Sequence, residues 1–466
     1  MLQKLPLLII FIAGYVYAQP LQVQAPALIN SLETINKNDR ILILAPHPDD
    51  ETIGCAGVIQ QAVAAKANIR VVYLTNGDHN QAAFIVFEKR LTLRQGEFIH
   101  MGEVRRTEAI KAMHLLGVDE KNLIFLGYPD FGTFTIFNQY WGDSRPFRSL
   151  LTRISSVPYK ENLSFGAPYK GDNILGDLKK VLLSYKPNKI FVSHPADVNV
   201  DHKSLYLFLQ VALLDLRKEL PRPKIYPYLI HCVGWPKPRH YHPELGLTPP
   251  EKFLNSQIGW SKLELNPKQL EKKHQAILRY KSQTQSSAFY LLAFARKNEL
   301  FGDYPLLEIK NEKAMQGQGT PAFLGSSDIF TDAGAGQIID ADEIIEGKGQ
   351  VSYAISEDVF LIRIDKTREL NNRFGIMLYI FGYSRNKPFN QMPKLRIVTR
   401  HTNFKVFNGK KLVKAEGIDL KLSEKELVLK VPLALLGGPD FIMTSVKTHA
   451  AGVAFETSGY RLIEIK

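Results

Sequence analysis

Short apolar runs alternate with amphipathic stretches from residue 40 onward. Buried strands are predicted over 40–45, 69–75, 122–128, 189–193 and 224–232. Amphipathic helices are predicted between and after them, over 57–67, 103–116, 175–185 and 203–219. Alternation of strand and helix is typical of βαβ units. We therefore predict an α/β domain with a mostly parallel sheet over residues 30–309.

The pattern changes near residue 310. Residues 310–336 are rich in Gly, Ser, Gln and Ala and are interpreted as a linker. Beyond them, short apolar runs at 359–364, 375–381, 395–399 and 427–431 are separated by turns, without a long helical period. This spacing predicts an all-β sandwich over 337–466.

The role of the predicted sandwich has two interpretations. Residues 431–439 loosely resemble segments of β-sandwich modules attached to polysaccharide-active enzymes, which implies carbohydrate binding. Trp141, Trp235 and Trp260 all lie outside this region, so it has no tryptophan for stacking on a sugar. A structural cap or a partner-binding sandwich is the alternative.

The amino terminus has the pattern of a secretory signal peptide over residues 1–18. One lysine precedes an apolar run of 14 residues, which is short against the roughly 20 that a spanning helix needs. Val16 and Ala18 suit the −3 and −1 positions of a cleavage site after Ala18. We expect a periplasmic or secreted protein without a transmembrane span after cleavage; an uncleaved anchor is the alternative.

The cysteine count and the net charge limit which metal sites and partners the protein can have. The 466 residues include only two cysteines, Cys55 and Cys232, which excludes a disulfide framework and a four-cysteine zinc site. Any metal must therefore be held largely by nitrogen and oxygen ligands. The net charge of +13 is spread along the chain, which argues against a polybasic arm for nucleic acid.

Two clusters of histidine and aspartate follow two of the predicted strands. The first is PHPDDE at 46–51, and the second is HPADVNVDH at 194–202. Three adjacent carboxylates at a buried strand end repel one another, and a cation relieves that repulsion. His47, Asp50 and His202 would form a two-histidine, one-carboxylate site. In the alternative, the aspartates cap helices, which leaves the histidines unexplained.

Nine aromatic residues lie between Phe131 and Tyr169, mixed with Gly, Pro, Ser and Asn. The segment has neither helical nor strand period, so we predict an insertion beyond the sheet. Aromatic loops near the carboxyl edge of a sheet suit flat ligands such as sugar rings. A small apolar cluster that packs the loop onto the domain is an equal alternative.

These motifs resemble the PIG-L/LmbE-like zinc-dependent N-deacetylases, whose first motif is (A/P)HPDDE and whose second ends in Asp-His. The resemblance runs from about residue 40 to 283 and includes TNGD at 75–78, RRTE at 105–108, YPD at 128–130 and YKSQ at 280–283. It implies a Rossmann-like fold with helices on both faces of the sheet. It also implies removal of acetyl groups from N-acetylglucosamine-containing molecules.

The resemblance assigns roles to individual residues. It implies His47, Asp50 and His202 as ligands of Zn²⁺, although this donor set also suits Fe²⁺. Asp49 would be the general base on a metal-bound water. Arg105 and Asp130 would bind substrate hydroxyls. Their alternatives are an ion pair between Arg105 and Glu108 and a turn-initiating aspartate.

Asn199 departs from the family pattern, because many members carry a histidine three residues before the last ligand. An asparagine amide can donate a hydrogen bond to an oxyanion but cannot give up a proton at neutral pH. We predict an oxyanion role for Asn199, with turn formation as the alternative.

The sequence therefore predicts an exported, metal-dependent N-deacetylase acting on an N-acetylglucosamine-containing glycan or glycoconjugate, a cell-surface glycan included. Two other interpretations stay open. One is an amidase for a non-sugar or thiol-conjugate amide. The other is a glycan-binding protein without catalysis.

Overall fold

A computed structural model describes the greater part of the chain. The described residues are 29–79, 94–254, 256, 258–310, 339–345, 349–365, 374–400, 403–422, 426–450 and 453–466. The predicted signal peptide and nearly all of the predicted linker lie outside them. None of the helices in the described ranges is long and apolar enough to cross a membrane.

The first part of the chain alternates strands and helices. Its strands are β1 (Ile29–Ser31), β2 (Arg40–Ala45), β3 (Asn68–Thr75), β4 (Leu123–Tyr128), β5 (Lys189–Ser193), β6 (Lys224–Tyr228), β7 (Gly259–Glu264) and β8 (Asn298–Asp303). Its helices are α1 (Asp50–Ala64), α2 (Gln95–Leu116), α3 (Thr133–Gln139), α4 (Gly171–Tyr185), α5 (Val200–Asp215), α6 (Pro267–Ile277) and α7 (Lys281–Leu291).

These strands form one eight-stranded sheet in the order β1-β7-β8-β6-β5-β2-β3-β4. The five strands from β6 to β4 are parallel, and β8 is antiparallel to both of its neighbours. Within the parallel block, the chain enters at the middle strand β2, continues outward through β3 to β4, and then returns to β5 and β6 on the other side of β2. The strand order therefore reverses between β2 and β5, where open α/β sheets bind their ligands.

Separate apolar clusters cover the two faces of the sheet, because neighbouring residues of a buried strand point to opposite sides. In β2, Ile41 and Ile43 belong to one cluster, while Leu42 and Leu44 belong to the other. The predicted mostly parallel sheet with helices on both faces is confirmed.

Helix α1 begins at Asp50, seven residues earlier than the sequence predicts. The acidic motif therefore lies within the first turn, where carboxylates interact favourably with the helix dipole. Glycine at position 57 obscures the helical pattern. A Cβ atom there would lie 2.9 Å from Oε2 of Glu299, so the close approach of β8 favours glycine.

The rest of the chain is built from strands. They are β9 (Leu307–Ile309), β10 (Ile339–Ile345), β11 (Gly349–Ser356), β12 (Val359–Asp365), β13 (Phe374–Tyr383), β14 (Lys394–Arg400), β15 (Asn403–Asn408), β16 (Lys411–Val413), β17 (Asp419–Leu422), β18 (Glu426–Pro432), β19 (Phe441–Ala450), β20 (Val453–Thr457) and β21 (Arg461–Ile465). Short 3₁₀ turns lie at Glu120–Asn122, Glu251–Phe253, Leu292–Phe294, Phe389–Gln391 and Leu433–Leu436.

Two sheets, antiparallel except for the parallel pair of β9 and β21, pack face to face and confirm the predicted sandwich. One has the order β10-β11-β12-β18-β17, and the other has the order β16-β15-β14-β13-β19-β21-β9 with β20 paired to β19. Side chains from both sheets form one apolar cluster. Strand β9 precedes the predicted linker yet pairs with β21. The sandwich thus includes a strand that the sequence places in the α/β domain.

Strand β13 is buried on both faces and joins the two parts of the molecule. Ile376, Leu378 and Ile380 point into the sandwich core. Tyr379 and Phe381, on the opposite face, belong to the cluster that covers the α/β sheet. The sandwich therefore shares a hydrophobic core with the α/β domain.

The aromatic insertion supplies the other side of this shared core. The Phe137 ring of α3 lies 4.9 Å from Phe208 of α5, 5.2 Å from Phe381 and 5.4 Å from Phe389, measured between ring centroids. All but Phe131 and Phe165 of the nine aromatics are buried or half-buried. For most of the insertion, the packing interpretation is therefore correct.

Candidate metal centre

The two predicted motifs meet at one edge of the sheet. His47, Asp49 and Asp50 follow β2, and His202 lies in the first turn of α5, which follows β5. Since β2 and β5 are hydrogen-bonded neighbours, their carboxyl ends bring the motifs together. A cleft of about 430 Å³ opens there. It is lined by His47, Asp49, Asp50, His79, Arg105, Asp130, Phe131, Asn199, His231 and Gln283.

The side chains of the three predicted metal ligands, His47, Asp50 and His202, converge on one point. Oδ2 of Asp50 lies 3.0 Å from Nδ1 of His47 and 3.0 Å from Nε2 of His202. One atom from each of these residues lies within 4.8 Å of the other two, as a shared metal ion requires. All three side chains are buried.

The outer ring nitrogen of each histidine faces another carboxylate. Nε2 of His47 lies 3.1 Å from Asp130 and 3.4 Å from Asp201, and Nδ1 of His202 lies 3.1 Å from Asp197. Carboxylates in this position orient metal-ligating histidines and increase their basicity. The arrangement directs the inner nitrogens toward the shared point.

The residues present fit a divalent cation. Nε2 of His202 is buried and makes no hydrogen bond among the described residues, although Asp50 is close by. Burial lowers the pKa of His202, but the carboxylates of Asp197 and Asp50 outweigh it and raise the pKa to about 9. The site thus attracts positive charge. Two imidazole nitrogens and one carboxylate are a donor set that zinc commonly takes.

Two further groups of His and Asp lie close enough to hold a metal, but each shares a histidine with the first. They are Asp197, His202 and His231, and His47, Asp130 and Asp201. Their carboxylates already accept backbone hydrogen bonds. Asp197, for example, accepts from the N–H groups of Asn199 and His231 at 2.9 and 2.8 Å. We therefore interpret the carboxylates of these two groups as holding the rings of His47 and His202 in position.

Asp49 is next to Asp50 in the sequence but is not part of the converging group. Its φ of 121° is unusual for a residue with a side chain, and its N–H donates to Oε2 of Glu51 at 3.0 Å. Burial raises the pKa of Asp49 to about 8; the charge of Arg105 opposes this rise, and the charge of Asp50 adds to it. The side chain faces the cleft.

Arg105 lies in the cleft, 3.3 Å from the Asp49 carboxylate. It donates to the backbone oxygens of Gly77 at 3.0 Å and Pro48 at 2.7 Å. The alternative ion pair with Glu108 is wrong, because Glu108 accepts hydrogen bonds from Ser282 instead. Arg105 of the RRTE motif thus contacts both Gly77 of the TNGD motif and the carboxylate of Asp49.

Asn199 has the turn-forming role that the sequence left open. Its Oδ1 accepts from the N–H of Asp201 at 2.8 Å, which caps α5. Asn199 also lines the cleft, so an oxyanion contact from its amide stays a prediction that the cap does not contradict.

The alternative in which Asp49 and Asp201 cap their own helices is wrong. Asp49 occupies the N-cap position of α1 but makes no capping hydrogen bond. Asp201 reaches across to α3 and accepts from the N–H groups of Phe131 at 2.6 Å and Thr133 at 3.2 Å.

Sequence reasoning missed several residues of the site. Asp197 and Asp201 lie within the second motif, but their contacts with histidines depend on the fold. His231 follows β6, and its ring centroid is 4.6 Å from that of His202. The sequence predicts a strand over 224–232, which would contain His231, whereas β6 ends at Tyr228. The end of a parallel strand at this sheet edge was the available signal. Asp130 was predicted to bind substrate, and the structure adds its contact with His47.

A second hollow of about 420 Å³ lies at the opposite, amino edge of the sheet. Arg40 and Arg70 stack on the Tyr185 ring there, 5.0 and 4.6 Å from its centroid. No metal-ligating cluster occurs there among the described residues.

The fold and the cleft define a Rossmann-like α/β protein with a candidate metal centre at the switch point of its sheet. Residues 42–213 match the PIG-L family, GlcNAc-PI de-N-acetylase. The chain carries a domain of this family over those residues, which confirms the resemblance seen in the motifs.

Individual relatives cover parts of the chain. The 1D-myo-inositol 2-acetamido-2-deoxy-alpha-D-glucopyranoside deacetylase of Mycobacterium sp. (strain KMS) is 34% identical over 90 residues. That segment is 19% of this chain and 28% of the relative's length.

Solved structures share low identity with the chain. The N,N'-diacetylchitobiose deacetylase from Pyrococcus horikoshii is 18% identical to this chain and has a TM-score of 0.33. The alignment covers 53% of this chain and 72% of the deacetylase chain. The 4-carboxy-2-hydroxymuconate hydratase from Pseudomonas putida KT2440 is 17% identical and has a TM-score of 0.35. The alignment covers 55% of this chain and 82% of the hydratase chain.

Proposed function

We propose that the protein is a metal-dependent N-deacetylase that hydrolyses the acetamide of an N-acetylglucosamine-containing glycan or glycoconjugate. One observation carries the proposal: His47, Asp50 and His202 converge while the adjacent Asp49 stays outside the group and faces the cleft. The family domain and the deacetylase activity in the name of the mycobacterial relative support this reaction.

The proposed cofactor is zinc, held by His47, Asp50 and His202. A divalent cation in such a site polarises an amide carbonyl and lowers the pKa of water. The buried Nε2 of His202 and the orienting carboxylates of Asp130, Asp201 and Asp197 support this choice.

The protein's own residues would move the protons. Asp49 is proposed to take a proton from the attacking water and later to deliver it to the departing amine. Arg105, 3.3 Å away, holds the Asp49 carboxylate in place and presents its guanidinium to the cleft. Nδ2 of Asn199 is proposed to donate to the oxyanion, and Asp130 to bind a sugar hydroxyl at the cleft wall.

Acetate release and metal content, measured on the same preparation, test the proposal. We expect about one zinc per chain and release of acetate from N-acetylglucosamine or its glycosides, and we expect His202→Ala to lose both. Release only from acyclic or thiol-conjugate amides would favour the second enzyme interpretation. Sugar binding without release, in metal-loaded protein, would favour a binding protein.

We propose separately that the chain is exported to the periplasm or the medium. The lysine, apolar run and small residues in positions 1–18 support this. Cell fractionation and amino-terminal sequencing test it. A mature protein beginning after Ala18 is expected, and an intact terminus on cytoplasmic protein would contradict it.

A further inference from the structure

Phe131 is an exposed aromatic residue at the wall of the cleft. The residue is 52% exposed and does not belong to the shared core, in which Phe134, Phe137 and Trp141 of the same insertion are buried. It lines the cleft together with His79, whose ring centroid lies 5.2 Å from that of Phe131. A large apolar side chain left open beside a reaction centre is available to a ligand.

The backbone holds Phe131 in a conformation that phenylalanine rarely adopts. Its φ is 56°, in the left-handed region. Its N–H donates to Oδ2 of Asp201 at 2.6 Å, and that same oxygen lies 3.4 Å from Nε2 of His47. One carboxylate thus fixes the position of Phe131 relative to a proposed metal ligand.

The segment after Phe131 is also anchored. Thr133, the first residue of α3, donates its N–H and its hydroxyl to Oδ1 of Asp201. The far side of α3 is held by Phe137 in the core shared with the sandwich. Burial of the ring does not explain the disfavoured backbone at Phe131. Strain of this kind persists where the surroundings fix it, and it is concentrated at functional sites.

The other cleft residues are polar. Arg105, Asp130 and Asn199 offer charged and amide groups, so the cleft combines one apolar wall with several hydrogen-bonding groups. A pyranose ring has the same division, with C–H bonds on its faces and hydroxyls around its edge. The negative face of an aromatic ring attracts such polarised C–H bonds.

We propose that Phe131 is a specificity-determining residue that stacks on the C–H face of the sugar bearing the acetamide. The proposal rests on the proposed function and adds a requirement for a pyranose ring at the cleft. It predicts that the enzyme discriminates a cyclic N-acetylamino sugar from an acyclic acetamide through this side chain.

The test compares Phe131→Ala, Phe131→Leu and Phe131→Trp on methyl N-acetylglucosaminide and on N-acetylethanolamine. For the sugar, Phe131→Ala and Phe131→Leu should raise KM about tenfold at nearly unchanged kcat and metal content, whereas Phe131→Trp should keep KM near that of the wild type. For the acyclic amide all variants should match the wild type. Phe165→Ala is the matched control, since Phe165 is 54% exposed in the same insertion but does not line the cleft.

Calorimetry separates failure of this proposal from failure of the proposed function. Binding of methyl N-acetylglucosaminide is measured on Asp49→Asn, with and without Phe131→Ala. Sugar binding that weakens about tenfold with Phe131→Ala supports the stacking role even if the wild type releases no acetate. Acetate release with an unchanged sugar KM in Phe131→Ala, or equal losses on both amides, overturns the stacking role alone. Absence of both release and sugar binding overturns both.

Discussion

The cleft and the interface between the two domains meet at α3 and are built in opposite ways. At the cleft, buried polar groups are held by several directed contacts each, as Asp201 is by Phe131 and Thr133. At the interface, aromatic rings such as Phe137 and Phe381 pack without directed bonds. Substitutions in the cleft should therefore alter chemistry, whereas substitutions in the interface should alter the stability of both domains.

The comparison also changes the interpretation of the sandwich. One face of its larger sheet is covered by the α/β domain through Tyr379, Phe381 and Phe441. A module tethered by a flexible linker would leave this face exposed. The packing favours the structural alternative and makes the sandwich a support for α3, one end of which reaches the candidate metal centre.

The largest effect is expected from Asp49→Asn. Loss of the proposed general base should lower kcat for acetate release by about 10²–10⁴-fold. Zinc content should stay near that of the wild type, because Asp49 lies outside the converging group. Metal analysis and acetate release are measured together. Asp50→Asn, which changes a proposed ligand, is the control that should lose metal, and metal loss in Asp49→Asn would contradict the proposed role of Asp49.

Phe137→Ala tests the interface side of the comparison. The ring is fully buried among rings of both domains, so truncation should cost about 3–5 kcal/mol of unfolding free energy. Urea unfolding followed by far-UV circular dichroism should show one transition at lower urea. Phe165→Ala, at an exposed site, should leave the transition unchanged. Two separate transitions in the wild type would show that the domains do not share a core.

Asp201→Asn tests whether one carboxylate connects the cleft to α3. An amide cannot accept all the hydrogen bonds that Asp201 accepts from Phe131 and Thr133, and its contact with His47 loses charge. Zinc affinity should fall about 10–100-fold in competition with a chelator. Asp177→Asn is the control, because Asp177 is also buried and accepts from two hydroxyls at 2.7 and 2.6 Å but belongs to no metal-ligating group. Equal affinity losses in the two variants would assign the effect to general destabilisation.

The fold was predictable because its signals are local. Buried strands at 40–45 and 189–193 are continuous apolar runs, and the structure places strands at both positions. The covered outer face of β13 was not predictable, since both of its faces are apolar and the sequence does not say what covers the second. The membership of β9 in the sandwich depends on pairing with β21, more than 150 residues away.

The candidate site was predictable as far as its residues belong to motifs. His47, Asp50 and His202 come together because parallel neighbouring strands end at one edge of the sheet. The contact between Asp201 and Phe131 depends on where α3 packs, and no sequence spacing encodes it. The roles of these residues in catalysis stay predictions.

Gly77→Ala separates the clash at Arg105 from backbone strain. A Cβ atom at position 77 would lie 2.1 Å from Nη1 of Arg105, and φ is 69°. Gly166 has a φ of 77° but no heavy atom near its Cβ position, so Gly166→Ala measures the strain alone. Both variants should lose about 1–2 kcal/mol of stability. Only Gly77→Ala should also lose activity through displacement of Arg105, and equal activities would show that Arg105 does not support Asp49.

Lys394→Met is expected to change how stability depends on pH. Lys394 lies at the interface under the Phe389 ring, and burial lowers its pKa from 10.5 to about 7, with a smaller opposing effect of Asp172. Between these pH values the unfolded chain holds a proton that the folded chain lacks, so unfolding free energy rises with pH by up to about 1.4 kcal/mol per pH unit. The variant should lose this rise in urea titrations at pH 7.5 to 9.5, whereas Lys410→Met, at an exposed lysine above Tyr140, should keep it. An unchanged slope in Lys394→Met would mean that the interface admits water and is less like a protein core than its packing indicates.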